Sequence, residues 1–223
     1  MSYKALPPVL VALLADHPRN APPPEALARL AEVSDFAVEV LVQQPGLMAS
    51  LDEPLQPLHL PADAESEWPV RIRRWRRAQS LKLIWRDVGG IDSVEQTLAG
   101  STWIAEQALQ AGFTAIDTLL RQSHGTVRDE HGAEQHMTVL GLGKLGGGEL
   151  NFSSDVDLVY AFSGHGMSDG ARPIAAETYF TRLGQRLANL LDEVTADGFC
   201  HRVDLRLRPF GASGRLLLSF NAM

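Results

Sequence analysis

The sequence of 223 residues has a single cysteine, no long apolar run and fewer basic than acidic residues. Cys200 alone cannot form an intramolecular disulfide or a cysteine-based zinc site, so we expect a cytoplasmic protein. The apolar segment 9–15 is too short to span a bilayer, and we expect no membrane partner. A net charge of −7 gives no overall positive field for a polyanion, and we expect no nucleic-acid partner.

The first region of the chain, residues 1–135, has the pattern of helices separated by proline-rich joints. Ser34 is suited to cap one helix, and apolar residues recur at helical spacing over 70–88. A further helix is expected to follow Ser93 and to end near Gly112. Since 45% of the residues are hydrophobic, such helices can bury a substantial core.

The second region, residues 136–223, combines glycine-rich loops with short apolar segments. The predicted elements are a strand at 137–140, a strand at 156–162, a helix at 178–191, a strand at 201–207 and a strand at 216–220. The expected fold class is therefore α+β, with a helical N-terminal region packed on a small mixed sheet. We expect the two regions to be two domains that meet at residues 135 and 136.

A glycine-rich run at 141–146 follows the first predicted strand and matches the dinucleotide-binding pattern G-x-G-x-x-G. In a dinucleotide fold, this turn opens an amphipathic helix that packs on the sheet. Here the segment 149–154 is short and polar and leads directly into another strand. A dehydrogenase is therefore the weakest of the functional hypotheses, although protection by NAD without a divalent metal would favour it.

Two aspartates lie at the start of the strand predicted at 156–162. Asp155 immediately precedes the strand, and Asp157 is its second residue. Because side chains alternate along a strand, these two carboxylates are expected on the same face. Two carboxylates repel each other unless a cation lies between them, and oxygen ligands favour Mg²⁺ or Mn²⁺. An isolated Asp-x-Asp also fits a turn that caps a strand, so the pattern alone leaves both interpretations open.

Neighbouring residues favour the metal interpretation. The glycine run lets backbone amides approach an anion, and Lys144 and Ser154 are close to it in sequence. The strand predicted over 202–208 places Asp204 on one face with three arginines: Arg202, Arg206 and Arg208. Glycines for phosphates and three aspartates on two strands describe a metal-dependent nucleotidyl-transfer site.

Four motifs carry a resemblance to a known family: GKLGG at 143–147, ELNFSSDVDL at 149–158, YFTRLGQRL at 179–187 and RVDLRLRPFG at 202–211. They resemble the bifunctional glutamine synthetase adenylyltransferase/adenylyl-removing enzymes, which belong to the DNA polymerase β-like nucleotidyltransferase superfamily. The resemblance covers nearly the whole chain, and 151–154 and 209–211 look more like the N-terminal, adenylyl-removing half. Gly148 departs from the pattern, because the family usually has an arginine there.

The resemblance implies phosphorolysis, in which inorganic phosphate removes AMP from a tyrosine of glutamine synthetase and ADP is released. Asp155, Asp157 and Asp204 would be the catalytic residues and the ligands of Mg²⁺, with Mn²⁺ as the alternative cation. The expected nucleotide is ADP or ATP, and the residues expected to bind it are Gly146, Gly147, Ser154, Lys144, Arg206 and Arg208. Glutamine synthetase and the PII nitrogen-signalling protein are the expected partners.

The position of Met223 bears on the expected activity, because the resemblance places a helical domain after this sheet. We therefore expect the catalytic core to be incomplete at its C-terminal end and phosphorolysis by the isolated chain to be weak or absent. Adenylylation and its removal use the same metal chemistry, so the motifs leave the direction of the reaction open. The alternative is a truncated, non-catalytic module that binds nucleotide or glutamine synthetase.

Overall fold

A computed structural model describes residues 6–16 and 22–222 of the chain. Its α-helices are α1 (Pro8–Asp16), α2 (Pro24–Val33), α3 (Asp35–Gln43), α4 (Trp68–Val88), α5 (Val94–His124), α6 (Gly143–Gly146) and α7 (Ala176–Asp192). Its strands are β1 (Val127–Arg128), β2 (Met137–Gly141), β3 (Val156–Phe162), β4 (Met167–Ser168), β5 (Val203–Asp204) and β6 (Leu217–Ser219). Short 3₁₀ helices lie at Pro45–Ser50, Ala62–Glu67, Gly211–Ser213 and Phe220–Ala222. The many helices and the small mixed sheet confirm the α+β class.

The helix starts follow local capping chemistry. Ser34 Oγ accepts a hydrogen bond from Ala37 N at 3.1 Å, which satisfies one free amide of α3. Ser93 and Gln96 form a reciprocal capping box at the start of α5. The predicted starts of both helices are therefore confirmed, and so is the helical spacing over 70–88.

The predicted end of α5 at Gly112 is wrong, because the helix continues to His124. Gly112 is buried against α7, where an added Cβ would lie 2.9 Å from Leu187 Cδ1 and 3.3 Å from Leu190 Cδ2. The glycine therefore serves close packing between two helices rather than helix termination. The helix ends instead before Gly125, whose φ of +79° is a conformation that glycine readily adopts.

β3 is the central strand of the main sheet. It pairs antiparallel with β2, with Met137 opposite Phe162, and parallel with both β5 and β6. The strands predicted at 137–140, 156–162 and 216–220 are therefore confirmed in the sheet, β6 being slightly shorter than predicted. β1 and β4 form a separate two-stranded antiparallel pair.

The strand predicted over 201–207 is wrong in its length, because β5 contains only Val203 and Asp204. Asp204 Oδ1 accepts a hydrogen bond from Arg206 N at 2.8 Å, a contact that bends the chain into a turn. The alternation of side chains therefore stops at Asp204, and Arg206 and Arg208 project from a turn rather than from a strand face.

Two hydrophobic cores lie one after the other along α4. The first joins α4 and α5 to the sheet and α7, and includes Trp68, Ile72 and Tyr160. The second joins α1, α2 and α3 to the C-terminal part of α4, and includes Leu81 and Trp85. Full burial of one such side chain contributes about 1.5–3 kcal/mol, so both cores are major sources of stability. The division at residue 135 stays a prediction, since the first core takes residues from both sides of it.

No helix within the described residues is both long and apolar enough to cross a membrane.

Candidate active site

A glycine turn connects β2 to α6 and lies directly against Asp157. Gly143 has a φ of +53°, and a Cβ added there would lie 2.6 Å from Asp157 Oδ2. A Cβ on Gly146 would lie 2.4 Å from Gly141 O. Glycine at these two positions therefore lets the turn close and lets the carboxylate approach its backbone. The helix that follows, α6, has four residues, unlike the long helix that a dinucleotide-binding turn opens.

The pairing of β3 with β5 brings two of the predicted aspartates together. Asp157 and Asp204 are register partners on these parallel strands, so their side chains share one face of the sheet. Asp155 immediately precedes β3, two residues before Asp157. Residues that are separated by about 50 positions in sequence thus lie at the same end of two neighbouring strands.

Arg206 lies within electrostatic reach of all three aspartates. Its Nη2 donates to Asp204 Oδ2 at 2.5 Å, and its Nε lies 3.0 Å from both carboxylate oxygens. The pKa of Arg206 is raised first by this hydrogen bond and further by the negative charges of Asp155 and Asp157. The same hydrogen bond lowers the pKa of Asp204 to about 2, so Asp204 is ionised at neutral pH.

A second arginine holds Asp155. Arg202 Nε lies 2.5 Å from Asp155 Oδ1, and Arg202 Nη2 donates to Ser153 O at 3.1 Å. The sequence pattern puts Arg202 on the same predicted strand face as Asp204, which was the available signal, but Arg202 was not among the predicted site residues. The pairing of Val156 in β3 with Val203 in β5 is what brings Arg202 next to Asp155.

The three aspartates have the right donor chemistry for a divalent cation but are not arranged as a closed ligand set. In the part of the chain that the structure describes, no three His, Cys, Asp or Glu side chains converge as metal ligands. Two of the carboxylates face arginines instead. Carboxylate oxygens from adjacent strands fit Mg²⁺ or Mn²⁺, provided that the cation displaces these guanidinium groups. Convergence of the three side chains on one metal ion stays a prediction.

Lys144 and Ser154 lie beside each other in the structure. Lys144 Nζ donates to Ser154 Oγ at 3.3 Å, and Ser154 Oγ donates to Asn151 Oδ1 at 2.7 Å. Asn151 Oδ1 also accepts from Ser153 N at 3.2 Å, which makes the segment before Asp155 a tight polar turn. Asn151 was not among the predicted site residues, although asparagine in such a turn commonly bonds the backbone two residues later.

The remaining nucleotide-binding candidates have partners within their own turns. The amides of Gly146 and Gly147 donate to Leu142 O and Gly143 O, both at 3.0 Å. Arg208 Nη1 donates to Leu205 O at 2.6 Å, whereas Arg206 reaches Asp204. The contacts of Gly146, Gly147 and Arg208 with a nucleotide stay predictions.

Comparison with protein families gives an independent finding. A family model described as glutamate-ammonia ligase adenylyltransferase matches residues 24–223.

Individual relatives agree with the family match. The chain is 60% identical over 202 residues to a bifunctional glutamine synthetase adenylyltransferase/adenylyl-removing enzyme of Stenotrophomonas maltophilia, covering 88% of the chain and 22% of that protein. Enzymes of the same description from Xanthomonas campestris pv. campestris and Thioalkalivibrio sulfidiphilus are 56% and 39% identical, each over 215 residues. These alignments cover 92% and 90% of the chain and 23% and 22% of the two enzymes. The chain thus spans less than a quarter of the length of each relative.

Proposed function

The chain belongs to the glutamate-ammonia ligase adenylyltransferase family, and we propose that it is a metal-dependent nucleotidyltransferase region that removes AMP from a tyrosine of glutamine synthetase. The observation that carries this proposal is the pairing of β3 with β5, which places Asp157 beside Asp204 next to the glycine turn. The segments 151–154 and 209–211 favour removal of AMP over its addition, because they resemble the adenylyl-removing half of the family.

The proposed reaction is a phosphorolysis. An oxygen of inorganic phosphate forms a bond to the phosphorus of the adenylyl group, and the bond from that phosphorus to the tyrosine oxygen breaks. ADP leaves, and the tyrosine phenolate takes a proton from solvent. The reaction needs charge neutralisation around two phosphates more than it needs covalent catalysis, so positioned charged groups supply most of the rate enhancement.

Asp155, Asp157 and Asp204 are proposed to hold Mg²⁺, or Mn²⁺ in its place. When bound, the cation supplies positive charge for the phosphate oxygens and for the leaving phenolate. Asp204 is ready for this role at neutral pH, because its pKa of about 2 keeps it ionised.

The phosphates are proposed to meet the positive groups that border the aspartates. Lys144 and Ser154 already lie 3.3 Å apart and provide an ammonium group and a hydroxyl. Arg206, once released from Asp204, can donate two parallel hydrogen bonds to a phosphate. The backbone of Gly146 and Gly147 and the side chain of Arg208 are proposed to complete the nucleotide contacts.

ADP and ATP are accordingly the proposed nucleotides, and glutamine synthetase is the proposed protein substrate. The PII nitrogen-signalling protein is a further proposed partner, and the cytoplasm is the proposed location.

Single-turnover phosphorolysis tests this proposal. Glutamine synthetase carrying radiolabelled AMP on tyrosine is mixed with an excess of the chain, inorganic phosphate and Mg²⁺, and the labelled product is identified. We expect labelled ADP to form only slowly, and none to form when Asp157→Asn replaces the original chain or when EDTA replaces Mg²⁺. Release of labelled AMP would indicate hydrolysis and contradict the phosphorolytic mechanism. Binding of ADP without any release of label would favour the non-catalytic module instead.

A further inference from the structure

The segment 149–154 precedes Asp155, and three of its hydrogen bonds link it to α5, to α4 and to the residue before β5. Leu150 N donates to Thr102 Oγ1 of α5 at 3.0 Å in a buried contact. Phe152 O accepts from Arg76 Nη2 of α4 at 3.2 Å. Ser153 O accepts from Arg202 Nη2. Two of these three partners therefore come from the helices that precede the sheet in sequence.

Arg76 is a charged residue in a half-buried position between α4 and the segment 149–154. Burial lowers its pKa, and its Nε is sealed from solvent without a hydrogen-bond partner in the described chain. The neighbouring Cys200 provides no negative charge at neutral pH, since burial raises its pKa to about 12. His201 is neutral, since burial lowers its pKa to about 3. Within residues 6–16 and 22–222, no carboxylate forms an ion pair with Arg76.

Arg76 is half-buried, and a guanidinium group in such a position that lacks an ion-pair partner and has a sealed Nε without a hydrogen bond costs stability. An apolar side chain of similar length can be as stable or more stable. Stability alone therefore does not account for an arginine at position 76. The guanidinium group of Arg76 donates a hydrogen bond to Phe152 O. Because that carbonyl belongs to the segment that precedes Asp155, the bond points to a role in positioning this segment.

The segment borders open space on the side of Arg76. A cavity of about 660 Å³ is lined by residues of α3 and α4, by Phe152 and Ser153, and by Arg76 itself. The hydrogen bond from Arg76 to Phe152 O is therefore a direct link between α4 and the segment at this cavity. Loss of that bond would leave Phe152 free to move toward the cavity.

We propose that Arg76 is a positioning residue that fixes the segment 149–154 and thereby aims Asp155 and Ser154 at the reacting phosphates. The proposal rests on the proposed function of Asp155 as a cation ligand. Arg76 touches neither the cation nor the substrate, and it acts through the carbonyl of Phe152. The helical region is thus part of the machinery that organises the catalytic site.

Arg76→Met tests the proposal, with Arg71→Met as its matched control. Arg71 lies on the same helix, is exposed and forms an ion pair with Glu67. Mn²⁺ affinity is measured by electron paramagnetic resonance of free Mn²⁺, and hydrogen exchange is measured for peptides that cover 149–155. Arg76→Met is expected to bind Mn²⁺ about tenfold more weakly, as is typical when a residue that orients a metal ligand is lost. Its amides at 149–155 should exchange faster, while its thermal midpoint stays the same or rises.

The control should leave both the Mn²⁺ affinity and the exchange at 149–155 unchanged. A folded Arg76→Met protein with the Mn²⁺ affinity and exchange of the original chain would overturn the positioning role. Absence of Mn²⁺ binding by the original chain would overturn the proposed function itself, and the inference with it. If Arg76→Met does not fold, Arg76→Gln replaces it, because glutamine stays polar but is too short to reach Phe152 O. Weaker Mn²⁺ binding by Arg76→Gln supports the proposal, and Mn²⁺ binding equal to that of the original chain overturns it.

Discussion

At the scale of single residues, Asp204 and Arg206 show how oppositely charged side chains pair within this site. Their carboxylate and guanidinium groups form a bidentate ion pair. This interaction lowers the pKa of Asp204 to about 2. At neutral pH the competitor of a metal ion for Asp204 is therefore an arginine and not a proton. Asp155 also forms an ion pair, in its case with Arg202.

Arg206→Gln should accordingly change metal and nucleotide affinity in opposite directions. Removing the guanidinium frees Asp204 and lowers the positive charge around the aspartates, so Mn²⁺ should bind more tightly. ADP in the presence of Mg²⁺ should bind more weakly, since one donor to its phosphates is lost. Calorimetric titrations with Mn²⁺ and with ADP measure the two affinities separately. A decrease in both would mean that Arg206 supports the carboxylates rather than competing for them.

Gly143 offers a second test at the residue scale, with Gly148 as its control. Both have a positive φ, +53° and +73°, so alanine at either position should cost about 1 kcal/mol or more of stability. A Cβ at position 143 also meets Asp157 Oδ2, whereas one at position 148 meets open space. We expect similar losses in urea unfolding from the backbone strain, but weaker Mg²⁺-dependent ADP binding only for Gly143→Ala. Equal binding by the two variants would show that the contact with Asp157 is unimportant.

At the scale of secondary-structure elements, the sequence predicted those features that local chemistry determines. Ser34 and Ser93 act as helix caps within three residues of their partners, and the apolar segment 156–162 forms a strand as predicted. The predicted end of α5 and the predicted length of β5 were wrong. The first depends on the packing of Gly112 against α7, and the second depends on the turn that the Asp204 side chain forms. The link from Arg76 to Phe152 joins residues 76 positions apart, and no local pattern reveals it.

His201 lies two residues before β5, and its buried ring is expected to make the stability of the protein depend on pH. Its amide donates to Leu191 O at the end of α7, and burial lowers the pKa of its ring to about 3. An unfolded histidine takes up a proton below about pH 6.5, but the folded one does not, so stability should fall as pH decreases below 6.5.

The expected loss from His201 between pH 7 and pH 5 is about 2 kcal/mol. Urea unfolding at the two pH values, for the original chain and for His201→Gln, measures it. The variant should lack this part of the loss, because glutamine does not titrate. Parallel pH dependence in the two proteins would show that His201 takes up a proton equally well in the folded and the unfolded chain, so that folding does not lower its pKa.

At the scale of the whole molecule, one core joins the helical region to the sheet. Trp68 and Ile72 of α4 and Ala105 and Ala108 of α5 share this core with residues of β3 and α7. The sheet and α7 therefore share one hydrophobic core with the preceding helices, and the same helices bond the segment 149–154.

A shortened chain of residues 126–223 should consequently fail to fold on its own. It lacks the apolar side chains of α4 and α5, and the exposed face of the sheet should favour aggregation. Circular dichroism during thermal unfolding provides the measurement, and we expect no cooperative transition. A cooperative transition in this fragment would mean that the sheet forms an independent domain.

The central claim is that Asp155, Asp157 and Asp204 together form one divalent-cation and nucleotide site. Calorimetric titration of ADP into the chain tests it most directly, with Mg²⁺, with EDTA, and with Mg²⁺ on Asp157→Asn; Asp63→Asn, an exposed aspartate outside the site, is the control. We predict that ADP binds when Mg²⁺ is present and at least about tenfold more weakly in EDTA or to folded Asp157→Asn, while the control is unaffected. Equal ADP affinity under all of these conditions would contradict the claim.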